Sequence, residues 1–187
     1  MNIPTPRQCD ALIREMEMLD HIVAHSMLVR RVALLITDRL NAAGSGLHRE
    51  LVRASATLHD ITKTRSFATR ENHAETGEAV LRELGYPEVG EVVGQHVRLN
   101  DFYPNGPCTE AEVVNYADKR VLHDQVATLD DRMAYILNRY GGSPGRRDRI
   151  RLMWREAEGI EAKLFQCIPF SPDDLAGRLV NREGRGF

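Results

Sequence analysis

The sequence predicts an all-α protein, and three observations carry that reading. Apolar residues recur at the helical period in run after run, no stretch alternates apolar and polar residues as a half-buried strand would, and the runs are bounded by helix-start residues and by glycines. With 187 residues, 42% of them hydrophobic and 28% charged, the chain can bury about 70% of its unfolded surface without a disulfide framework. A helical bundle over residues 1–140 and a C-terminal helical extension over 141–187 packed on it are expected, divided at the breaker Gly141-Gly142-Ser143-Pro144-Gly145.

Each element has its own signal. Thr5-Pro6 supplies an N-cap and a first-turn proline for a helix carrying Leu12, Ile13, Met16 and Leu19. From Asp20 to Asn41, His25, Val29, Val32, Ile36 and Leu40 form one stripe, which places His25 on a buried face before Gly44 and Gly46 end the run. A third run, Leu47 to Ile61, has Leu51, Ala54, Leu58 and Ile61 as its core face, with His59 and Asp60 at its end. Thr62 to Asn72 is polar, aperiodic and net basic, and reads as a loop. Asn72 caps a helix carrying His73, Gly77, Val80, Leu81 and Leu84 up to Gly85, and a shorter one opens near Pro87 with Val89, Val92, Val93 and His96. After a turn-rich loop over Arg98 to Pro107, Thr109 and Glu112 form a capping box for a helix holding Val113, Val114, Ala117, Asp118, Val121 and Leu122. Leu129, Met133, Ile136 and Tyr140 make the next stripe. A long helix follows from Arg147 to Gln166 around Trp154, a core residue or subunit contact that leaves homo-oligomerisation open, and then a short helix with a frayed basic end.

A net charge of −2 argues against wholesale nucleic-acid or membrane binding, while leaving room for a local basic patch around an anionic substrate. Cys9, Cys108 and Cys167 are too few and too scattered for a disulfide framework and fit free thiols in a reducing compartment. No apolar run approaches the length of a membrane span and no secretory leader is evident, so a cytoplasmic protein is expected.

The chemistry lies in the histidines. A lone histidine on an apolar stripe is usually a satisfied core residue, but His25, His59, His73 and His96 fall at the inward edge or end of four separate helices, and Asp60 and Asp118 add carboxylates on the buried side. Such a convergence is costly unless something neutralises it, and a divalent metal does so while keeping imidazole neutral and carboxylate ionised. Imidazole with carboxylate suits Fe, Mn, Zn, Co or Ni, and no cysteine stands at thiolate-ligand spacing.

His25-Ser26, Leu58-His59-Asp60-Ile61-Thr62-Lys63 and Asn115-Tyr116-Ala117-Asp118-Lys119 resemble, in that order, the motifs of the HD superfamily of metal-dependent phosphohydrolases. The resemblance covers roughly Leu19 to Leu122 and implies an HD-type helical bundle in which His25, His59, Asp60 and Asp118 hold one metal. His73-Ala74-Glu75-Thr76-Gly77 and Gln95-His96 look like the extra histidines of the dinuclear branch, which includes bacterial diadenosine tetraphosphate hydrolases and HD-GYP phosphodiesterases. In that branch His73 and His96 would bind a second ion, with Asp60 bridging. Thr62 in place of the HDIG glycine, a single histidine at Gln95-His96 and the lack of a GYP signature set the chain apart from HD-GYP proteins.

The implied reaction is hydrolysis of a phosphoester or phosphoanhydride of a small phosphorylated, nucleotide-like substrate by metal-activated water, with one or two ions, Asp60 and Lys63 in the catalytic centre, and Lys63, Arg65, Arg70 and Arg98 toward substrate. Two other classes share the ligand set: a di-iron oxygenase, and a nucleotide sensor without catalysis. His21, on the same helical face as His25, is as well read as a capping or solvent-facing residue, while His48 and His123 lack evident partners and Asp124 reads as a solvated carboxylate.

Overall fold

The computed structural model describes residues 1–183 and is all-α apart from one small ribbon. Its helices are α1 (Pro6–Glu15), α2 (Asp20–Ala42), α3 (Arg49–Leu58), α4 (Lys63–Thr69), α5 (His73–Glu83), α6 (Pro87–Gly94), α7 (Glu110–Lys119), α8 (Leu129–Tyr140), α9 (Pro144–Phe165) and α10 (Leu175–Glu183), the last preceded by a 3-10 turn at Pro172–Asp174. The basic end expected to fray falls at 184–187, outside the described residues. No described helix is long and apolar enough to cross a membrane.

Helix α2 is the axis of the bundle. Its Val29, Val32, Ala33, Ile36 and Leu40 are fully buried, and α3 and α7 pack along it. Every residue from Leu51 to Thr62 is buried, so α3 and the turn after it run through the middle of the protein. Arg53 is accommodated there because its guanidinium donates to the Pro4 carbonyl at 2.5 Å and to Glu50 at 2.6 Å. His48 caps this helix, its Nδ1 accepting from the Leu51 amide at 3.2 Å.

Helices α5 and α6 form a close hairpin. A Cβ built on Gly90 would stand 2.8 Å from the Glu78 carbonyl, and one on Gly77 would meet Val93 at 3.1 Å, so only glycine permits this approach. The hairpin brings His73, at the start of α5, beside His96, just past the end of α6.

Two expectations change. The stretch read as a basic loop contains α4, a seven-residue helix that buries no side chain and so shows no apolar period; Arg70, left-handed at φ 64°, ends it. Helix α7 stops at Lys119, and Val121–Leu122 pairs antiparallel with Gln125–Val126 around His123, which is left-handed at φ 56°. Val121 and Leu122 continue the apolar spacing of α7, which hides this change of structure.

A contiguous apolar cluster takes in residues from Cys9 to Leu179, α9 and α10 included. Helix α9 is tied in by polar bonds: Lys163 to Glu112 at 2.6 Å, the Trp154 indole donating to the Leu129 carbonyl at 2.8 Å, and buried Arg120 reaching Glu161 and the Pro172 carbonyl, each at 2.9 Å.

Candidate metal centre

The fold brings together His25 from α2, His59 and Asp60 from the turn after α3, His73 from α5, His96 from the turn after α6, and Asp118 from α7. Their ligand atoms fall into two groups: in His25, His59 and Asp118, and again in Asp60, His73 and His96, the three atoms lie within 4.8 Å of one another. Asp60 lies between the groups, with Oδ2 3.5 Å from His59 Nε2 and Oδ1 3.3 Å from His73 Nε2 and 3.5 Å from His96 Nε2.

Hydrogen bonding decides which imidazole nitrogen is bare. A carbonyl oxygen only accepts, so a ring nitrogen bonded to one must donate. His59 Nδ1 donates to the Ala56 carbonyl at 2.9 Å, His96 Nδ1 to that of Val93 at 2.7 Å, and His25 Nδ1 to that of His123 at 3.1 Å. In these three rings, when neutral, Nε2 therefore presents a lone pair inward. Those lone pairs face carboxylate oxygens: His25 Nε2 lies 2.9 Å from Asp118 Oδ1, and His59 Nε2 lies 3.7 Å from the same oxygen. His73 and His96 meet Nε2 to Nε2 at 3.1 Å. Two buried atoms, His59 Nε2 and Asp60 Oδ1, find no hydrogen-bond partner at all. The His25 and His59 lone pairs packed against carboxylate oxygens, with His73 Nε2 free to donate to His96, call for positive charge at the centre, and the donor set fits a divalent transition metal.

The electrostatics show a site that draws positive charge toward its carboxylates. Burial opposes charge on Asp60 and Asp118, yet His59 and Lys63 around the first, and His25 and His59 around the second, hold both carboxyls well below the usual range. Burial pushes His96 down to about 4, so it is neutral near pH 7, whereas on His59 the adjacent Asp60 and Asp118 outweigh burial and raise the pKa.

The donors open into a cavity of about 790 Å³. Lys63 lines it, with Nζ 2.9 Å from Asp60 Oδ2. Arg65, Arg70 and Arg98 do not: Arg65 pairs with Glu71 at 3.1 Å, Arg70 ends α4, and Arg98 is exposed beyond α6. The arginines that do line it are Arg132 and Arg139 of α8, the first with Nη2 4.0 Å from Asp118 Oδ1. Sequence reasoning missed them because α8 was legible only through its apolar stripe; their seven-residue spacing was the available sign. His21 and Asp124 also line the cavity, and His123 contributes its carbonyl to His25 and its ring to an edge contact with Tyr135.

Lys119, beside Asp118, is buried with its ammonium donating to the carbonyls of His96, Val97 and Asn115, each at 3.3 Å, and to Asn115 Oδ1 at 2.6 Å. It joins the turn that bears His96 to the helix that bears Asp118. Burial brings its pKa down to about 8.

Comparison with known proteins follows the same residues. The family model of the HD domain matches residues 22–121, from the start of α2 to the ribbon. Ribonuclease Y of Treponema denticola is 31% identical over 99 residues, 52% of this chain but only 18% of the relative's length. An uncharacterized protein of Methanocaldococcus jannaschii is 24% identical over 156 residues, 75% of this chain and 90% of its own. No solved structure matches significantly.

Proposed function

The chain belongs to the HD domain family, and from that premise we propose that it is a metal-dependent phosphohydrolase acting on a small phosphorylated substrate of the nucleotide class. The observation that carries this reading is the cluster of inward-facing Nε2 lone pairs and carboxylate oxygens, with His59 Nε2 and Asp60 Oδ1 left without partners. In this reading His25, His59 and Asp118 would hold one ion and Asp60, His73 and His96 a second, with Asp60 near enough to both groups to serve either. An ion held there supplies Lewis acidity toward a phosphoryl oxygen and acidifies a water at neutral pH.

The protein's own groups do the rest. Lys63, anchored on Asp60 at the cavity floor, offers its ammonium to a phosphate oxygen or gives a proton from Nζ to the leaving oxygen. The backbone carbonyls of Ala56, Val93 and His123 keep three imidazoles aimed inward. Buried Lys119 holds the His96 turn in register with Asp118.

The decisive experiment is metal analysis of protein purified without chelator, followed by phosphate-release assays with Mn, Fe, Co and Ni. The panel should span nucleoside phosphates, dinucleotide polyphosphates, cyclic nucleotides and, because one relative is named a ribonuclease, a short RNA. About two ions per chain and metal-dependent phosphate release are expected. No bound metal, or turnover-dependent O2 consumption without phosphate release, would overturn the proposal.

A further inference from the structure

Two helices each turn a face to the cavity. Helix α4 buries none of its residues, and the side carrying Lys63 and Phe67, four residues apart, lines the cavity. Helix α8 buries only Leu129, and its Arg132, Arg139 and Tyr140, at offsets 0, 7 and 8, line the same space. Phe67 is 58% exposed and Tyr140 is 55% exposed, whereas the side chain of Arg132 is 15% exposed and lies deeper.

We propose that these two faces form a nucleotide clamp in which Lys63 and Arg132 hold phosphate while Phe67 and Tyr140 stack on the base. Lys63 stands 2.9 Å from Asp60, and Arg132 stands 4.0 Å from Asp118, so each donor group has a cation on its cavity side. Phosphate resting on the donors is flanked by both. Farther out, Arg139 lies about 10.5 Å along the helix from Arg132 and holds its guanidinium 6.0 Å from the Tyr140 ring centroid. Cations near the floor and exposed aromatic rings near the mouth match a molecule that is anionic at one end and a flat π-system at the other. A sugar phosphate or an inorganic polyphosphate leaves the rings unused. Helix α8 lies outside residues 22–121, the span matched by the family, so the contacts of Arg132, Arg139 and Tyr140 come from beyond it, whereas Lys63 and Phe67 lie within it. The clamp rests on the phosphohydrolase reading only for where the phosphate sits.

Trp154, the single tryptophan, lines the cavity, so its fluorescence reports binding without turnover. The protein as purified is titrated with ATP and with inorganic tripolyphosphate, the same triphosphate chain without ribose or base and with one more ionisable oxygen. ATP should bind about tenfold tighter, with Phe67→Ala and Tyr140→Ala each driving that preference toward unity. Arg132→Gln should weaken both probes by a similar factor, about tenfold, with Arg132→Lys recovering part of it. Phe67 and Tyr140 are exposed, so their removal leaves the core alone. Equal affinity for the two probes, a preference that survives Phe67→Ala, or no ATP binding at millimolar concentration overturns the clamp. An intact preference for ATP with no phosphate release from any nucleotide counts against the hydrolase reading and leaves the clamp standing.

Discussion

Helices α3 and α4 are consecutive, separated by the turn His59–Thr62, and they are opposites. All residues from Leu51 to Thr62 are buried; from Lys63 to Thr69 none is. The buried segment ends in His59 and Asp60, whose positions are locked by packing on every side, and the wet segment opens with Lys63, whose side chain reaches back to Asp60. The contrast divides the labour of the site: donors that must hold a fixed geometry come from the core, and groups that must meet an incoming molecule come from a helix that contributes nothing to the core.

The sharpest way to break that division is Asp60→Ala, which removes the carboxylate shared by both donor groups. It should abolish turnover by more than about a thousandfold and lower the bound metal together with it, checked by kinetics and elemental analysis. Retention of metal would mean that Asp60 is not a ligand. Leu58→Ala, two residues earlier and fully buried, should cost about 2–5 kcal/mol in urea unfolding, because the cavity it leaves cannot collapse in so enclosed a place. Lys63→Ala should keep the full metal complement and lose about a hundredfold in kcat, placing the wet side in turnover and not in metal retention. Gly90→Ala, at the closest approach of α5 and α6, should destabilise by about 1–3 kcal/mol in the same unfolding assay and loosen the His73 to His96 pairing. The smallest effect belongs to Phe67→Ala, expected within about 0.5 kcal/mol of the parent stability. A large loss there would show that α4 supports the core after all.

The same contrast explains what could be read from the chain. Helices with a core face and a cap were legible: Thr5 and Thr109 both close capping boxes, and Asn72 caps α5 through its side chain, whereas α9 starts at Pro144, capped by Ser143, inside the stretch read as a breaker and three residues before the expected Arg147. Helix α4 was not, since a helix that buries nothing leaves no apolar period. On α8 the stripe Leu129, Met133, Ile136 and Tyr140 was visible, but only Leu129 is fully buried: Met133 and Ile136 pack against the core in part, and Ile136 and Tyr140 line the cavity. A stripe shows that a face is covered or lined without saying by what, so Arg132 and Arg139 went unnoticed. The histidines and aspartates could be nominated because polar residues on buried stripes are conspicuous. How Asp60 divides its oxygens between two groups depends on the turn after α3, which no periodicity encodes.

The bonds from His59 to Ala56 and from His96 to Val93 share one arrangement: each ring folds back three residues onto the last turn of the helix it has just left. Those carbonyls are among the four that a helix end leaves without an intrahelical amide. One contact therefore finishes the helix and selects the imidazole tautomer, so helix length is itself a determinant of the donor set. Lengthening α3 by a single turn would set a backbone amide in competition with the His59 ring for the Ala56 carbonyl and loosen the aim of that imidazole without altering any ligand; at α6 the Val93 carbonyl already takes the His96 amide at 3.2 Å together with the ring.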